Sequence, residues 1–492
     1  MPIQGQLKRE IGLYSAIAIV VANMVGTGIF TTSGFILQEV GSPSALLVAW
    51  LFGGAFALCG ALCYGELGAR YPQAGGEYVF LREAFGKPLA FLSGWISLIV
   101  GFSAPIAASA IAFSTYLLKA VGVSAQTDHT VALPGMPLFT LSLPVMLAIA
   151  VVLFFSGLHI HSLRVGSRVQ NLLTLFKILL VVGFIAAGLT ASHGSGNHLS
   201  GSVSIDRLLD GKFAVALIFI SFAYSGWNAA AYVGGEIKRP SRNIPLAMLT
   251  GTLIVTILYL LLNLVYVYAL AADEMQGVME VAAAAGAKLF GAGIGRWFNA
   301  AIALGLLSVL SAMILAGPRV YYAMSRDGIF FPLFARVSDE RHTPAPAIGL
   351  QAAIAIVLIV SASYDKLLIY IGFTLSIFAT LTVVGLVLLR RRFPEKVPAY
   401  RTWGYPMPPL IFIIGNLWII YYSIKSRPAP VLWGLATIVT GLAAYTYFCR
   451  VRSRSRKGSL NHAPVARTLL SDRGAVGPRP AAGPATRKEE LS

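Results

Sequence analysis

Three places in this chain carry residue types that could do chemistry within otherwise apolar surroundings. Val25-Gly26-Thr27-Gly28-Ile29-Phe30 and Phe222-Ala223-Tyr224-Ser225-Gly226-Trp227-Asn228 set glycines, hydroxyls and an amide inside two long apolar runs, and Lys177 stands alone inside a third. Glycine weakens a helix and lets the backbone unwind. Unwound backbone bares N–H and C=O groups that hydrocarbon cannot satisfy, so such a break persists only where it lines a cavity or meets a ligand. The half-helix that begins after a break offers free amides and the positive end of its dipole to an anion. Carbonyls before the break suit an ammonium. Two facing breaks would therefore receive a zwitterion such as an α-amino acid. Its carboxylate is expected on the amides of Gly26, Thr27 and Gly28, and its amine on carbonyls near Met24 and Phe222. Gly26 and Gly28 alone would read as helix-packing glycines. The second break tips the reading towards binding.

Lys177 follows Arg168 by nine residues on one apolar run. At 1.5 Å per residue it lies roughly 14 Å deep, near the middle of a hydrocarbon core about 30 Å thick. A lysine there cannot readily snorkel and costs about 2.5–3.5 kcal/mol to insert. It should face the bundle and find carbonyls or hydroxyls, its ammonium standing where a structural cation would sit beside the first break.

Other groups carry less. Cys59 and Cys63 share a helix face without further ligands nearby and read as packing residues. His159 and His161 look like a metal pair but lack a third ligand and are expected in a loop. Gly291-Ala-Gly-Ile-Gly295 imitates a dinucleotide fingerprint but follows no strand. Glu66 and Glu236, at the cytoplasmic ends of two runs, are expected to pair with arginines, with proton carriage as the alternative. No acidic residue is read near either break, which favours neutral substrates. No cofactor or metal is implied.

The elements that position these residues are set by composition. Of the 492 residues, 57% are hydrophobic and 12% charged, where a soluble domain carries about 25% charge. The apolar residues form long blocks, so lipid is the main solvent. Twelve spans are expected, at about 12–37, 44–69, 87–119, 141–158, 166–190, 212–235, 244–271, 296–325, 346–361, 367–389, 408–424 and 429–449. The first is too long for a signal peptide and is read as a retained span. With the N-terminus inside, 29 of the 38 Lys and Arg fall in inside segments and 8 outside, the last being Lys177. That bias places both ends in the cytoplasm and accounts for the net charge of +18 without nucleic acid. The breaks fall in spans one and six, a separation of five that two inverted repeats would produce. The expected layout is a cytoplasmic segment 1–11, a first repeat 12–190, a second repeat 212–389, two further helices over 408–449, and a disordered basic cytoplasmic tail 450–492. Oligomeric state is not readable.

These residues resemble the amino acid–polyamine–organocation superfamily, and within it the L-type amino acid transporters and their bacterial relatives, over about residues 8–450. Gly26-Thr-Gly-Ile-Phe30 is similar to the family's Gly-Ser-Gly-Ile-Phe. Pro72-Gln-Ala-Gly-Gly-Glu-Tyr78, Phe222–Asn228, Arg319–Gly328 and Arg401-Thr-Trp-Gly-Tyr-Pro406 follow in order. The resemblance implies an all-α integral membrane protein of the leucine-transporter fold, with 12 transmembrane helices as a 5+5 inverted repeat plus two. It implies an inner-membrane permease working by alternating access. It implies amine binding by the carbonyls of Met24, Phe222 and Ser225, with Ala223, Trp227 and Asn228 in the same site and Phe222 gating it from outside. Lys177 matches the lysine that stands where sodium sits in sodium-coupled relatives, so sodium-independent transport is expected, by exchange or proton coupling. Two departures stand out. Thr27 replaces the commoner serine, and its extra methyl is expected to narrow the pocket. The outer segment 120–140 has no cysteine, where animal relatives bond a glycoprotein partner, so a bacterial protein without that subunit is expected.

Other classes fit less well. A polyamine or cationic amino acid permease is the nearest alternative. A channel would favour a continuous polar stripe or a filter loop, a receptor remains the non-transporting alternative, and an enzyme would need His, Asp or Glu clustered at membrane depth.

Overall fold

The computed structural model describes residues 9, 11–123, 131–132, 140–199, 210–336, 343–395 and 397–461. They fall into two units, Met1–Tyr445 and Thr446–Ser492. The described part of the first is helical apart from a two-residue antiparallel pair, Val131–Ala132 with Thr140–Leu141.

The first apolar run is three pieces: α1 (Leu13–Met24), α2 (Thr27–Thr31) and α3 (Ser33–Val40). It ends where Gly41 turns left-handed at φ 76°. Then comes α4 (Pro43–Arg70), started by the Ser42 hydroxyl, which accepts the Ala45 amide at 3.3 Å, and by Pro43 in the first turn. The short α5 (Glu77–Phe85) leads into α6 (Lys87–Ile96), which passes through a π-helical stretch, Ser97–Ser103, into α7 (Ala104–Ala120). α8 (Leu143–His161) and α9 (Leu163–Thr190) follow. The second broken run comprises α10 (Gly211–Ala223) and the single turn α11 (Ala229–Tyr232). Beyond it lie α12 (Pro240–Ala269), α13 (Ala272–Met275), α14 (Val281–Phe290), α15 (Ala292–Ala316) and α16 (Pro318–Arg326). The chain closes with α17 (Ala345–Ser361), α18 (Tyr364–Arg392), α19 (Met407–Ser426) and α20 (Pro428–Asn461).

Among the described residues, ten helical stretches are long and apolar enough to cross a membrane, and three shorter apolar helices, α10, α14 and α17, accompany them. Both broken runs are found where the glycines stand. The sequence reading foresaw no kink at Gly317-Pro318, where proline removes an amide between α15 and α16, and no π stretch in the third run. The last helix does not stop at 449. Residues 450–461, expected to open the disordered tail, are helical. Their Arg, Ser and Lys residues tolerate a helix and no proline follows until Pro464. The remainder of the expected tail, 462–492, lies outside the described residues, as does much of the cysteine-free segment 120–140.

The core is built around α1, which packs with α11, α12 and α15, while α4 packs on α12, and α7 and α9 pack against α15. Arginines gather at one end of this bundle: Arg70 reaches the Phe393 carbonyl, Arg390 pairs with Glu66, Arg82 with Asp327 and Arg319 with Glu236.

Candidate functional site

The two breaks meet at the centre of the first unit. Gly26 is extended (φ −125°, ψ −155°), so its residue separates α1 from α2 without a side-chain cap. The amides that open α2 therefore have no capping side chain. In the second run, Gly226 takes φ 100°, a conformation that favours glycine. A Cβ there would lie 2.9 Å from the Asn23 carbonyl carbon. A Cβ on Gly28 would lie 2.4 Å from the Ala223 Cα. Glycine at both positions lets the unwound segments touch.

Two side chains hold the first break. Lys177 on α9 is fully buried and donates from Nζ to the Ala22 carbonyl at 2.8 Å. Tyr259 on α12 is equally buried, and its hydroxyl lies 2.5 Å from the Met24 carbonyl and 3.0 Å from the Ala223 carbonyl. One hydroxyl thus links the ends of α1 and α10. Nothing in the sequence distinguished this tyrosine from its apolar neighbours on α12.

A cavity of about 140 Å³ lies beside the breaks. Of the residues expected to bind substrate, Phe222, Ser225, Trp227 and Asn228 line this cavity. Met24, Gly26, Thr27, Gly28 and Ala223 are buried behind that wall. The expectation that Thr27 narrows the pocket is not met: it is 3% exposed and lies off the wall. The Phe222 carbonyl accepts the Ser225 amide at 3.0 Å, and the Met24 carbonyl faces Tyr259. Each keeps a second lone pair.

The π stretch brings Ser97, Gly101 and Phe102 to the cavity, and Leu375 and Ser376 come from α18. The extra residue per turn re-aims side chains. Ser103 stabilises the distortion by donating to the Leu98 carbonyl at 2.6 Å. Trp227 stands edge-on to Tyr64 with centroids 4.6 Å apart, seated against Gly60, where a Cβ would lie 2.9 Å from its ring.

Contrary to the expectation of no acidic residue near either break, a carboxylate stands beside the second. Glu77, at the start of α5, lines the cavity. Its Oε1 accepts from the Tyr64 hydroxyl at 2.7 Å and from Asn228 Nδ2 at 3.1 Å. Gly75 and Gly76 bring it there. Gly76 takes φ 54° and its Cα side faces the Tyr232 ring, 2.7 Å from where a Cβ would stand. The Gly75 amide donates to the Tyr232 carbonyl at 3.1 Å. Burial pushes the Glu77 carboxyl up to about 7, and the two hydrogen bonds offset that only in part. The Gly-Gly-Glu sequence after a span was the available signal.

The remaining groups sort simply. Glu66 accepts from Arg390 Nε at 2.7 Å and from the Thr402 amide and hydroxyl at 2.8 Å, and Glu236 pairs with Arg319 at 3.2 Å. His159 is not in a loop. It is buried at the end of α8, with Nε2 2.8 Å from the Ser311 hydroxyl of α15. Among the described residues no group of three His, Cys, Asp or Glu could hold a metal.

Residues 11–446 match the family model described as amino acid permease. The chain is 31% identical to the mouse b(0,+)-type amino acid transporter 1 over 450 residues, 90% of this chain and 88% of that protein. It is 30% identical to the serine/threonine exchanger of Bacillus subtilis over 417 residues, 84% of this chain and 91% of that protein. It is 29% identical to the human large neutral amino acids transporter small subunit 2 over 456 residues, 89% of this chain and 80% of that protein. Read with the apolar helices and the paired breaks, these matches make the chain a membrane transporter of amino acids, not an enzyme, and a member of the amino acid permease family.

Proposed function

We propose that this permease carries neutral L-amino acids without sodium, by alternating access. Twelve spans, arranged as two inverted repeats over 12–190 and 212–389 with two helices after them, would provide the two rocking halves. The observation that carries the reading is the pair of facing breaks with a lysine on the first. The ammonium of Lys177 already supplies, at the Ala22 carbonyl, the positive charge a bound cation would bring.

In this reading the substrate carboxylate takes the amides of Gly26, Thr27 and Gly28. Its ammonium takes the remaining lone pairs of the Met24, Phe222 and Ser225 carbonyls. Because the glycines lie behind the cavity wall, binding includes a separation of the two breaks. Phe222 closes the outer side, and Ser225, Trp227 and Asn228 meet the substrate side chain beside Ala223. The positive-inside distribution supports an inner-membrane protein with both termini in the cytoplasm. The absence of cysteine in 120–140 supports function without a disulfide-linked glycoprotein. The names of two relatives, for large neutral amino acids and for serine and threonine, support a neutral substrate. A cationic amino acid or polyamine is the second reading, favoured by Glu77 on the cavity wall.

Uptake of radiolabelled L-amino acids and putrescine into proteoliposomes tests this. Neutral amino acids are expected to enter at the same rate when sodium is replaced by choline; a steep sodium dependence overturns the reading. Uptake that needs internal amino acid assigns exchange. Uptake driven into empty vesicles by a pH gradient assigns proton coupling. Preferred uptake of lysine or putrescine moves the assignment to the second reading.

A further inference from the structure

Glu77 is a buried carboxyl with neutral partners. It joins three elements that alternating access would move apart: α5, α4 through Tyr64, and the unwound part of the sixth run through Asn228. Both hydrogen bonds fall on Oε1, and Oε2 accepts from no side chain among the described residues. The titratable and charged groups of the elements packed on α5 do not neutralise it. From α4, Tyr64 is its donor, Glu66 belongs to Arg390, and Arg70 Nη2 donates to the Phe393 carbonyl. From the sixth run, Tyr232 stands beside it and Glu236 pairs with Arg319. From α16, Arg319 is thus taken and Arg326 lies over the Tyr322 ring. From α18, Arg392 donates to the Ala84 carbonyl and Arg391 is exposed. On α5 itself Arg82 pairs with Asp327 at 2.8 Å, and Lys87 of α6 is exposed. A carboxylate left without a cation in such a place binds a proton or a cationic ligand.

We propose that Glu77 is a proton-operated latch on the arginine-rich side of the cavity. As a carboxylate it clamps Asn228 to Tyr64; as the neutral acid it releases that clamp and lets this side open. The step is one protonation. A proton from cytoplasmic water forms an O–H bond at Oε2, and no other bond forms or breaks. The physical basis is that hydrogen bonds to an ionised acceptor are about twice as strong as those between neutral groups. The upward displacement of the carboxyl by burial puts the change near neutral pH. The inference deepens the transport reading and rests on alternating access.

The test compares wild-type protein with Glu77→Gln and Glu77→Asp, all checked for monodispersity, in proteoliposomes loaded with unlabelled L-serine and L-leucine. Initial uptake of the same labelled amino acids, and of labelled L-lysine, is read at internal pH 6 and 8. A single group titrating near 7 changes its protonated fraction about tenfold across that range. Wild-type uptake is expected to rise several-fold on going from 8 to 6. Glu77→Gln, a permanent mimic of the neutral acid, should be flat and near the wild-type rate at pH 6. Glu77→Asp should restore a pH dependence. A Glu77→Gln variant with the wild-type profile overturns the latch. So does lysine uptake by the wild type that the Gln variant loses, because the carboxylate would then be a substrate counter-ion. Infrared difference spectra of the purified protein separate this from failure of the transport reading. A carboxylic-acid carbonyl band that titrates near neutral pH and is missing in Glu77→Gln supports the latch even if no amino acid is carried; absence of such a band in wild type overturns it.

Discussion

Lys177 and Tyr259 show how two side chains can hold open a helix at membrane depth. Each aims a donor at a carbonyl that unwinding has freed, Ala22 in one case and Met24 in the other. A buried carbonyl left without its donor costs about 1–3 kcal/mol, and 1.4 kcal/mol is a factor of ten. Lys177→Ala is therefore expected to cut initial uptake to about a tenth or less while leaving a monodisperse protein. Wild-type uptake by that variant would remove the lysine from the mechanism. Tyr259→Phe deletes only the hydroxyl that serves both breaks. It is expected to raise KM about tenfold with little effect on yield, measured as concentration-dependent uptake. Lys177 was legible in the sequence because a lone cation in an apolar run is anomalous. Tyr259 was not, because a tyrosine in a span is ordinary until its hydroxyl's partners, 235 and 36 residues away in the chain, are known.

At the scale of elements, the two broken runs meet because glycine stands wherever one backbone crosses the other. The Gly28–Ala223 approach leaves no room for a methyl group. Overpacking of this kind costs about 1–3 kcal/mol. Gly28→Ala should separate the breaks, abolish uptake and lower the thermal transition of the purified protein; a fully active Gly28→Ala transporter would show that this contact is not part of the cycle. Glycine pairs and their spacing made both breaks readable in advance. The π stretch at Ser97–Ser103 was not, because it depends on where α6 and α7 must aim side chains inside the bundle. Glu77 was within a motif already noticed, yet its arrival at the cavity required Gly76 to fold α5 back beneath Tyr232.

For the whole molecule, several modest contacts tie elements together at the arginine-rich end. Arg82 pairs with Asp327 and Arg319 with Glu236, and Ile11 bridges in parallel to Ile237. Arg319 and Glu236 retain 26% and 19% of their side-chain exposure, so the pair is worth about 0.2–1 kcal/mol. Glu236→Ala is accordingly expected to shift the open population by no more than about fivefold. The labelling rate of a cysteine placed at Ala379 on the cavity wall, with the three native cysteines replaced by serine, measures this. A much larger increase would make that one pair the gate.

The sequence by itself determined the solvent, the helical class, the two breaks and the lysine beside the first. These follow from local composition: apolar length demands helices in lipid, glycine permits unwinding, and a charge in hydrocarbon must find a partner. Only the tertiary structure decided which side chains meet. It set Tyr259 across both breaks, turned Glu77 into the cavity, drew Ser97 and Ser376 to its wall, and left Gly26, Thr27 and Gly28 behind it. Those outcomes depend on the packing of helices far apart in the chain, and side-chain spacing along one helix carries no record of its neighbours.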